Sequence, residues 1–239
     1  MGNFFTAQHV KNGCHAQFGA LGLACLGWML TGVALGLIQW RVWQVSDRAV
    51  ITSGVAWVGL WRVCFASHTV VSEGFKVMYC RYIMLTDSFT PPEIAAGQVL
   101  MLLSLLVGVC GNASGVYSMR IVYFGIGKNS TVRRGFILTG VLCLLAAAIS
   151  LVPLLWNLSA VVTNQTIEFP PEFKLPPAPE SQHVGGGIGV GMAGSVLMIV
   201  SGIIFCTYRL PKRPLREQVH QENDTRGEDN PTFEFQEHL

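Results

Sequence analysis

Residues 39–81 read QWRVWQVSDRAVITSGVAWVGLWRVCFASHTVVSEGFKVMYCR. This stretch is polar, aromatic and β-branched, and it separates two long apolar segments. Side chains alternate at residues 40–45 and 75–83, and β-branched residues are dense from 50 to 63. These patterns are typical of strands, so we expect an antiparallel sheet between the two apolar segments.

The chain as a whole is too apolar and too poor in charge for an ordinary water-soluble domain. Of its 239 residues, 51% are hydrophobic and 13% are charged, and the mean hydropathy is +0.44. A membrane protein is therefore predicted. The net charge of +2 is small and the basic residues are scattered, which argues against a nucleic-acid partner.

Four uncharged segments are long enough to cross a lipid bilayer, which takes about 20 apolar residues in a helix. They are residues 18–38, 95–119, 135–156 and 184–208, joined on one side by loops 39–94 and 157–183. We expect residues 1–210 to form one four-span membrane domain. The charged, proline-containing tail, residues 211–239, lacks apolar periodicity and is predicted to be disordered.

Basic residues indicate the orientation of the spans. They precede the first span, occupy the short middle loop and follow the last span, at Lys11, Lys128, Arg133, Arg134, Arg209, Lys212, Arg213 and Arg216. By the positive-inside rule these regions are cytoplasmic. We therefore expect a plasma-membrane protein with both termini in the cytoplasm and loops 39–94 and 157–183 outside.

The first apolar segment has an alternative interpretation as a signal peptide cleaved after the small residues Ala34 and Gly36. Its apolar run is longer than the roughly 7 to 15 residues of a signal-peptide core, and the one clear positive charge lies well upstream. These features favour a span.

Two of the seven cysteines, Cys64 and Cys80, are expected on the outer, oxidising side. The others fall in the spans or near the cytoplasmic boundary, at Cys14, Cys25, Cys110, Cys143 and Cys206. Two outward thiols beside a strand pair predict a disulfide, which would stabilise the sheet by about 3 kcal/mol. With only His68 nearby, no zinc site is expected, and we predict neither a metal nor a cofactor.

Short motifs predict three modifications. The first six residues fit the M-G-x-x-x-[ST] pattern for myristoylation of Gly2, and Cys206 beside a basic cluster is a candidate for palmitoylation. Asn164 begins a glycosylation sequon in the second outer loop, whereas the sequon at Asn157 lies close to the membrane. The prolines of that loop predict an extended projection rather than a central strand.

Six residues of the first outer loop stand in a fixed order. They are Trp40, Gly59, Leu60, Trp61, Cys64 and Cys80. This order in the first loop of a four-span protein resembles the signature of the claudin family, and residues 151–156, LVPLLW, are similar to that family's proline-to-tryptophan exit from the third span. The resemblance implies a membrane all-α fold with a small sheet: a left-handed four-transmembrane-helix bundle carrying an extracellular antiparallel β-sheet. Most of its strands would come from the first loop and one from the second.

The resemblance also implies a function. A claudin-like cell–cell junction protein associates with itself or with other claudins, within one membrane and across two, and forms or seals a paracellular barrier or ion path. It implies that Met84 packs against Phe169 of a neighbouring protomer; the alternative is that Met84 lies in its own sheet core. Arg81 is the implied selectivity residue of a pore, and the alternative is a surface salt bridge to Asp87 or Glu73.

The chain departs from the claudin pattern in ways that bear on partners. The arginine expected just before the second span is replaced around Gly97-Gln98, and Cys64 and Cys80 are widely spaced. The tail lacks the family's Tyr-Val ending, which argues against tight-junction scaffolds, although the terminal Leu239 carboxylate is of a kind that PDZ domains capture.

The sequence bears on two other classes of function. The GLWR form at residues 59–62 is also close to channel γ-subunits and epithelial membrane proteins, so an auxiliary regulatory membrane subunit of a channel or receptor is the alternative function. An enzyme is not expected, and neither is a small-molecule substrate, because the spans carry no paired carboxylates, Cys-x-x-Cys pair or histidine cluster.

Overall fold

Four long helices form a bundle, and a five-stranded antiparallel sheet covers one end of it. The computed structural model describes residues 2–46, 51, 53–67, 77–124 and 129–207, with the backbone alone at residues 2–14, 67, 77 and 129. The predicted fold class is confirmed in its four apolar helices and its small sheet. The tail, residues 211–239, lies outside the described part of the chain.

The helices are α1 Gly2–Gly36, α2 Pro92–Phe124, α3 Asn129–Val162 and α4 Gly186–Cys206. Each helix contains a segment that is long and apolar enough to cross a membrane. These segments are His15–Gly36, the whole of α2, Ser130–Val162 and the whole of α4. Helices α2 and α3 extend beyond the predicted spans 95–119 and 135–156 at both ends, because hydropathy locates only the apolar part of a helix. At 1.5 Å per residue, the 33 residues of α2 span about 50 Å, which exceeds the roughly 30 Å hydrocarbon core.

Helix α4 packs closely against both α1 and α3 through glycines. A Cβ atom on Gly194 would lie 2.8 Å from the carbonyl oxygen of Gly27 in α1, and one on Gly202 would lie 2.9 Å from that of Gly140 in α3. Small residues allow such backbone approach in lipid, where dispersion contacts replace the hydrophobic effect as the force between helices. Outward side chains such as Leu106 and Leu138 are exposed, as expected for a surface that faces lipid.

The sheet contains β1 Arg41–Gln44, β2 Val55–Val58, β3 Arg62–Ser67, β4 Val77–Tyr82 and β5 Ser181–Val184. Its order is β4-β3-β2-β1-β5, and every neighbouring pair is antiparallel. The prediction of strands within residues 40–45, 50–63 and 75–83 is confirmed, as is the single strand from the second outer loop.

The second outer loop packs onto the rest of the molecule, so the predicted extended projection is wrong. Its 3₁₀ helix Pro171–Phe173 buries Phe173, and Ile167 is buried as well. Proline fixes φ, which suits the first turn of a 3₁₀ helix as well as an extended chain. The sheet and this loop enclose an apolar layer above the bundle, which includes Trp40, Trp43, Val58, Leu60, Met101, Leu154 and Ile188.

Candidate functional site

The disulfide predicted between Cys64 and Cys80 is present. The two residues are directly opposite each other on β3 and β4, with a Cα–Cα distance of 4.1 Å. The bond closes the hairpin whose connecting residues, 68–76, lie outside the described part of the chain. It thereby fixes the register of the edge strand β4.

Trp40 of the signature joins the first span to the last. Its indole Nε1 donates a hydrogen bond to the carbonyl of Ala34 at the end of α1, 2.8 Å away, and the side chain is buried. The backbone N–H of Gly185 donates to the carbonyl of Trp40 (2.9 Å), and that of Gly187 donates to the carbonyl of Gln39 (2.7 Å). A Cβ atom on Gly187 would lie 2.7 Å from the Trp40 ring, so only glycine fits there.

The Gly59-Leu60-Trp61 part of the signature links β2 to β3 and docks the sheet on α2. A Cβ on Gly59 would lie 2.8 Å from the Cα of Ile38, and Leu60 is fully buried against Gly97. The Nε2 of Gln98 donates to the carbonyls of Leu60 (2.7 Å) and Ile83 (3.1 Å). Gln98 therefore anchors the sheet to α2 at the position where the claudin resemblance implies an arginine.

A buried ion pair lies beneath the sheet, and sequence reasoning missed it. The Nη2 of Arg41 in β1 donates to the Oε1 of Glu93 in α2 (2.8 Å) and to the Oδ1 of Asn157 in α3 (3.0 Å). Asn157 in turn donates to the carbonyls of Glu93 (2.8 Å) and Pro153 (3.0 Å). The Arg41 and Glu93 side chains are 1% and 5% exposed.

Burial and pairing with Glu93 have opposite effects on the charged form of Arg41. Burial lowers the pKa of Arg41, while the hydrogen bond and the negative charge of Glu93 act in the opposite direction. The Nε and Nη1 of Arg41 are buried without a hydrogen-bond partner among the described residues. Asn157, noted in the sequence only as a membrane-proximal sequon, is thus fully buried and structural. The network ties β1, α2 and α3 together.

Several apolar side chains are exposed near the edge strand β4. Tyr82, Met84 and Leu85 are 66%, 62% and 51% exposed, and we call them the apolar rim. The Asp87 carboxylate accepts a hydrogen bond from the backbone N–H of Met84 (2.8 Å), and Thr90 donates to its carbonyl (2.9 Å), so the backbone is fixed while the side chain projects. The alternative that Met84 lies in the sheet core is therefore wrong.

Phe169 lies in an aromatic cluster of its own protomer. Its ring centre is 5.4 Å from that of Trp43, 5.9 Å from that of Phe89 and 5.3 Å from that of Phe173. The side chain remains partly exposed. The predicted contact between Met84 and Phe169 of a neighbour stays a prediction.

Arg81 lies on the same face of the sheet as the buried Val63, its partner in register. Its Nε donates to the Tyr79 hydroxyl (2.8 Å), and its guanidinium is 6.0 Å from the centre of the Phe173 ring. Its ion partner is Glu172, with an N–O distance of 3.9 Å, and not Asp87. Glu73, the other predicted partner, lies outside the described residues. The pair is exposed, so it contributes little to stability.

The predicted modification sites occupy three different places. Asn164 is exposed after α3 with a φ of 53°; the N–H of Gln165 donates to the carbonyl of Ala160, which completes a left-handed helix cap. Gly2 is the first residue of α1, and Cys206, the last residue of α4, is exposed with a free thiol. The modifications themselves stay predictions. In the part of the chain that the structure describes, no group of His, Cys, Asp or Glu side chains is arranged to hold a metal ion.

These features define a four-span membrane protein with a small extramembrane sheet. The sheet carries a disulfide and is bordered by the apolar rim. The family model described as PMP-22/EMP/MP20/Claudin tight junction matches residues 25–207. The chain belongs to this family. It is 29% identical to Claudin-3 of Mus musculus over 188 residues, 77% of this chain and 78% of the relative. It is 26% identical to Claudin-4 of Homo sapiens over 192 residues, 80% of this chain and 84% of the relative.

Proposed function

We propose that this protein is a claudin-type cell–cell junction protein whose outer sheet associates with copies of itself or with other claudins. The observation that carries the proposal is the apolar rim, since exposed apolar patches mark interaction sites on proteins. The rim borders β4, which is an edge of the sheet and presents backbone groups that no strand within the described residues pairs.

The disulfide supports the orientation that this function needs. Disulfides persist in oxidising environments, which supports a sheet outside the cell and the opposite end of the bundle in the cytoplasm. Both termini are then cytoplasmic, in agreement with the basic residues of the middle loop and tail. Family membership points to the tight junction as the location.

Within this proposal, Met84 of one protomer packs on the exposed part of Phe169 of the next. A flexible thioether adapts to an aromatic surface and gains favourable sulfur–ring contacts. Phe169 is held by Trp43, Phe89 and Phe173, so its position is fixed before association. The contact would thus join a mobile side chain to a preformed surface.

The test is to mix two singly labelled populations of cells that lack junctional strands and to image their contacts. Met84→Ser should abolish enrichment where two expressing cells meet. Met78→Ser is the matched control, because Met78 is 52% exposed at the other end of β4. A uniform surface signal from the unaltered protein would contradict the proposal and favour an auxiliary subunit of a channel or receptor.

We further propose that Arg81 sets the charge selectivity of any paracellular path. Its guanidinium is partly exposed, and a ring of such groups would repel cations and favour anions. Arg81→Glu should shift the dilution potential of an epithelial monolayer towards cations. Arg62→Glu makes the same charge change on the opposite face of the sheet and should leave the potential unaltered. Equal behaviour of the two variants would refute the role of Arg81.

A further inference from the structure

An open cleft of about 410 Å³ lies at the end of α2 that is farthest from the sheet. Its walls are Tyr117, Arg120, Ile121 and Phe124, which share one face of the helix. Tyr117 and Phe124 are 66% and 58% exposed, and the Arg120 guanidinium is 5.8 Å from the centre of the Phe124 ring. The cleft therefore combines apolar walls with a cation.

Two further arginines lie at the same level of the bundle. Gly135 of α3 packs directly against Ser118 of α2, so the exposed Arg133 and Arg134 lie at about the level of Arg120 along the bundle. They are on another side of α2, since Ser118 and Arg120 are about 200° apart around the helix. None of these three arginines forms an ion pair with another described residue. The sequence between Glu93 and Glu168 contains no acidic residue, so α2 and α3 contribute only basic side chains to the described part of this end of the bundle.

The sequence favours a position for the cleft at the headgroup layer of a membrane. Arg120, Ile121 and Phe124 follow directly on the predicted span 95–119, so this last part of α2 is expected to leave the hydrocarbon core. Tyrosine is enriched at the boundary between hydrocarbon and water, and arginine extends its charged group towards the headgroups while its methylenes stay in apolar surroundings. The two kinds of side chain are thus placed for a molecule with both an acyl chain and a phosphate.

We propose that this cleft binds an anionic phospholipid of the leaflet opposite the sheet. Arg120 holds the phosphate, and an acyl chain lies along Ile121 and Phe124. Positive charge at this surface complements the anionic lipids of the cytoplasmic leaflet, where the orientation given under Proposed function places the cleft. A macromolecular partner is not needed to account for the combination of cation and apolar walls.

The test titrates phosphatidylserine or phosphatidylcholine into the full-length purified protein in neutral detergent and counts bound lipids by native mass spectrometry. Phosphatidylserine should bind more tightly than phosphatidylcholine. Removing one basic residue near the membrane surface lowers the affinity for anionic lipid about fivefold. Arg120→Gln should therefore weaken phosphatidylserine binding by about that factor. Arg62→Gln, the same change on the sheet, should leave binding unaltered.

Three results would overturn the proposal. They are equal binding of the two lipids, unaltered binding by Arg120→Gln, and competition by glycerophosphoserine as strong as by the whole lipid. The last result would exclude a contribution from the apolar walls. Because the assay uses isolated protein without cell contacts, a failure of the junction proposal would not affect its outcome.

Discussion

Removing the carboxylate of the buried ion pair, by Glu93→Ala, should strongly destabilise the protein. Arg41 would keep its hydrogen bond to Asn157 at 3.0 Å, but it would lose the carboxylate 2.8 Å away, which is its only ion partner among the described residues. Its side chain is 1% exposed, so water cannot replace the carboxylate without a structural change. Leaving one buried charge unpaired typically costs about 3–5 kcal/mol of the free energy of unfolding.

The double variant Arg41→Met/Glu93→Leu should be less damaging than Glu93→Ala alone. It removes both charges and fills the space with apolar groups, a replacement that is often neutral or stabilising. Asn157 would then lose a partner for its Oδ1, at a cost of about 1–3 kcal/mol, which the apolar packing offsets in part. The two sites should therefore show a large coupling energy in a double-mutant cycle.

The free energy of unfolding can be measured by titrating purified protein in mixed micelles with a denaturing detergent and following tryptophan fluorescence. Arg62→Met on β3 serves as the control, since Arg62 is exposed and surface changes usually stay within about 0.5 kcal/mol. The reasoning would be refuted by a Glu93→Ala variant within about 1 kcal/mol of the unaltered protein, or by strictly additive effects.

Three further predictions use the same titration or gel mobility. Cys64→Ala/Cys80→Ala should lower the free energy of unfolding by about 3 kcal/mol, because the bond closes a loop with a sequence separation of 16, and a reductant should cause an equal loss in the unaltered protein. Gly194→Ala should cost about 1–3 kcal/mol, since its Cβ would lie 2.8 Å from a carbonyl oxygen of α1, whereas Gly189→Ala meets nothing within 4 Å and should cost nothing. Asn164→Gly keeps the positive φ of 53° and removes the sequon, so it should abolish glycosidase-sensitive mass without lowering stability.

The features that could be predicted from the sequence are those with a local pattern. The strands follow from alternation in residues 40–45 and 75–83, and the disulfide follows from two cysteines on the oxidising side. The claudin signature identified Trp40 and Gly59, but their contacts with Ala34 and Ile38 required the folded chain. The ends of the helices were predicted less well. Hydropathy marks only the apolar part of a helix, and α2 and α3 continue into the polar residues on either side.

The buried ion pair could not be predicted, because its members are far apart in sequence. Glu93 and Asn157 are 52 and 116 residues from Arg41. Asn157 had a simpler local interpretation as a sequon, and no local pattern singled out Glu93. A surface salt bridge of Arg81 was foreseen, but its described partner, Glu172, comes from the other outer loop, whereas the sequence suggested Asp87 or Glu73 of the first loop.

The hydrogen bonds of Gly185 and Gly187 with Trp40 and Gln39 join the start of α4 to the start of β1, and they have a consequence for biosynthesis. During translation, β1 emerges early, but β5 and α4 emerge only after three helices have entered the membrane. In the orientation proposed above, the free edge of β1 displays unpaired backbone groups to the lumen of the secretory pathway until β5 is made. We expect nascent chains that stop before residue 181 to be held by lumenal chaperones and degraded, and the synthesis of β5 and α4 to release the protein for export.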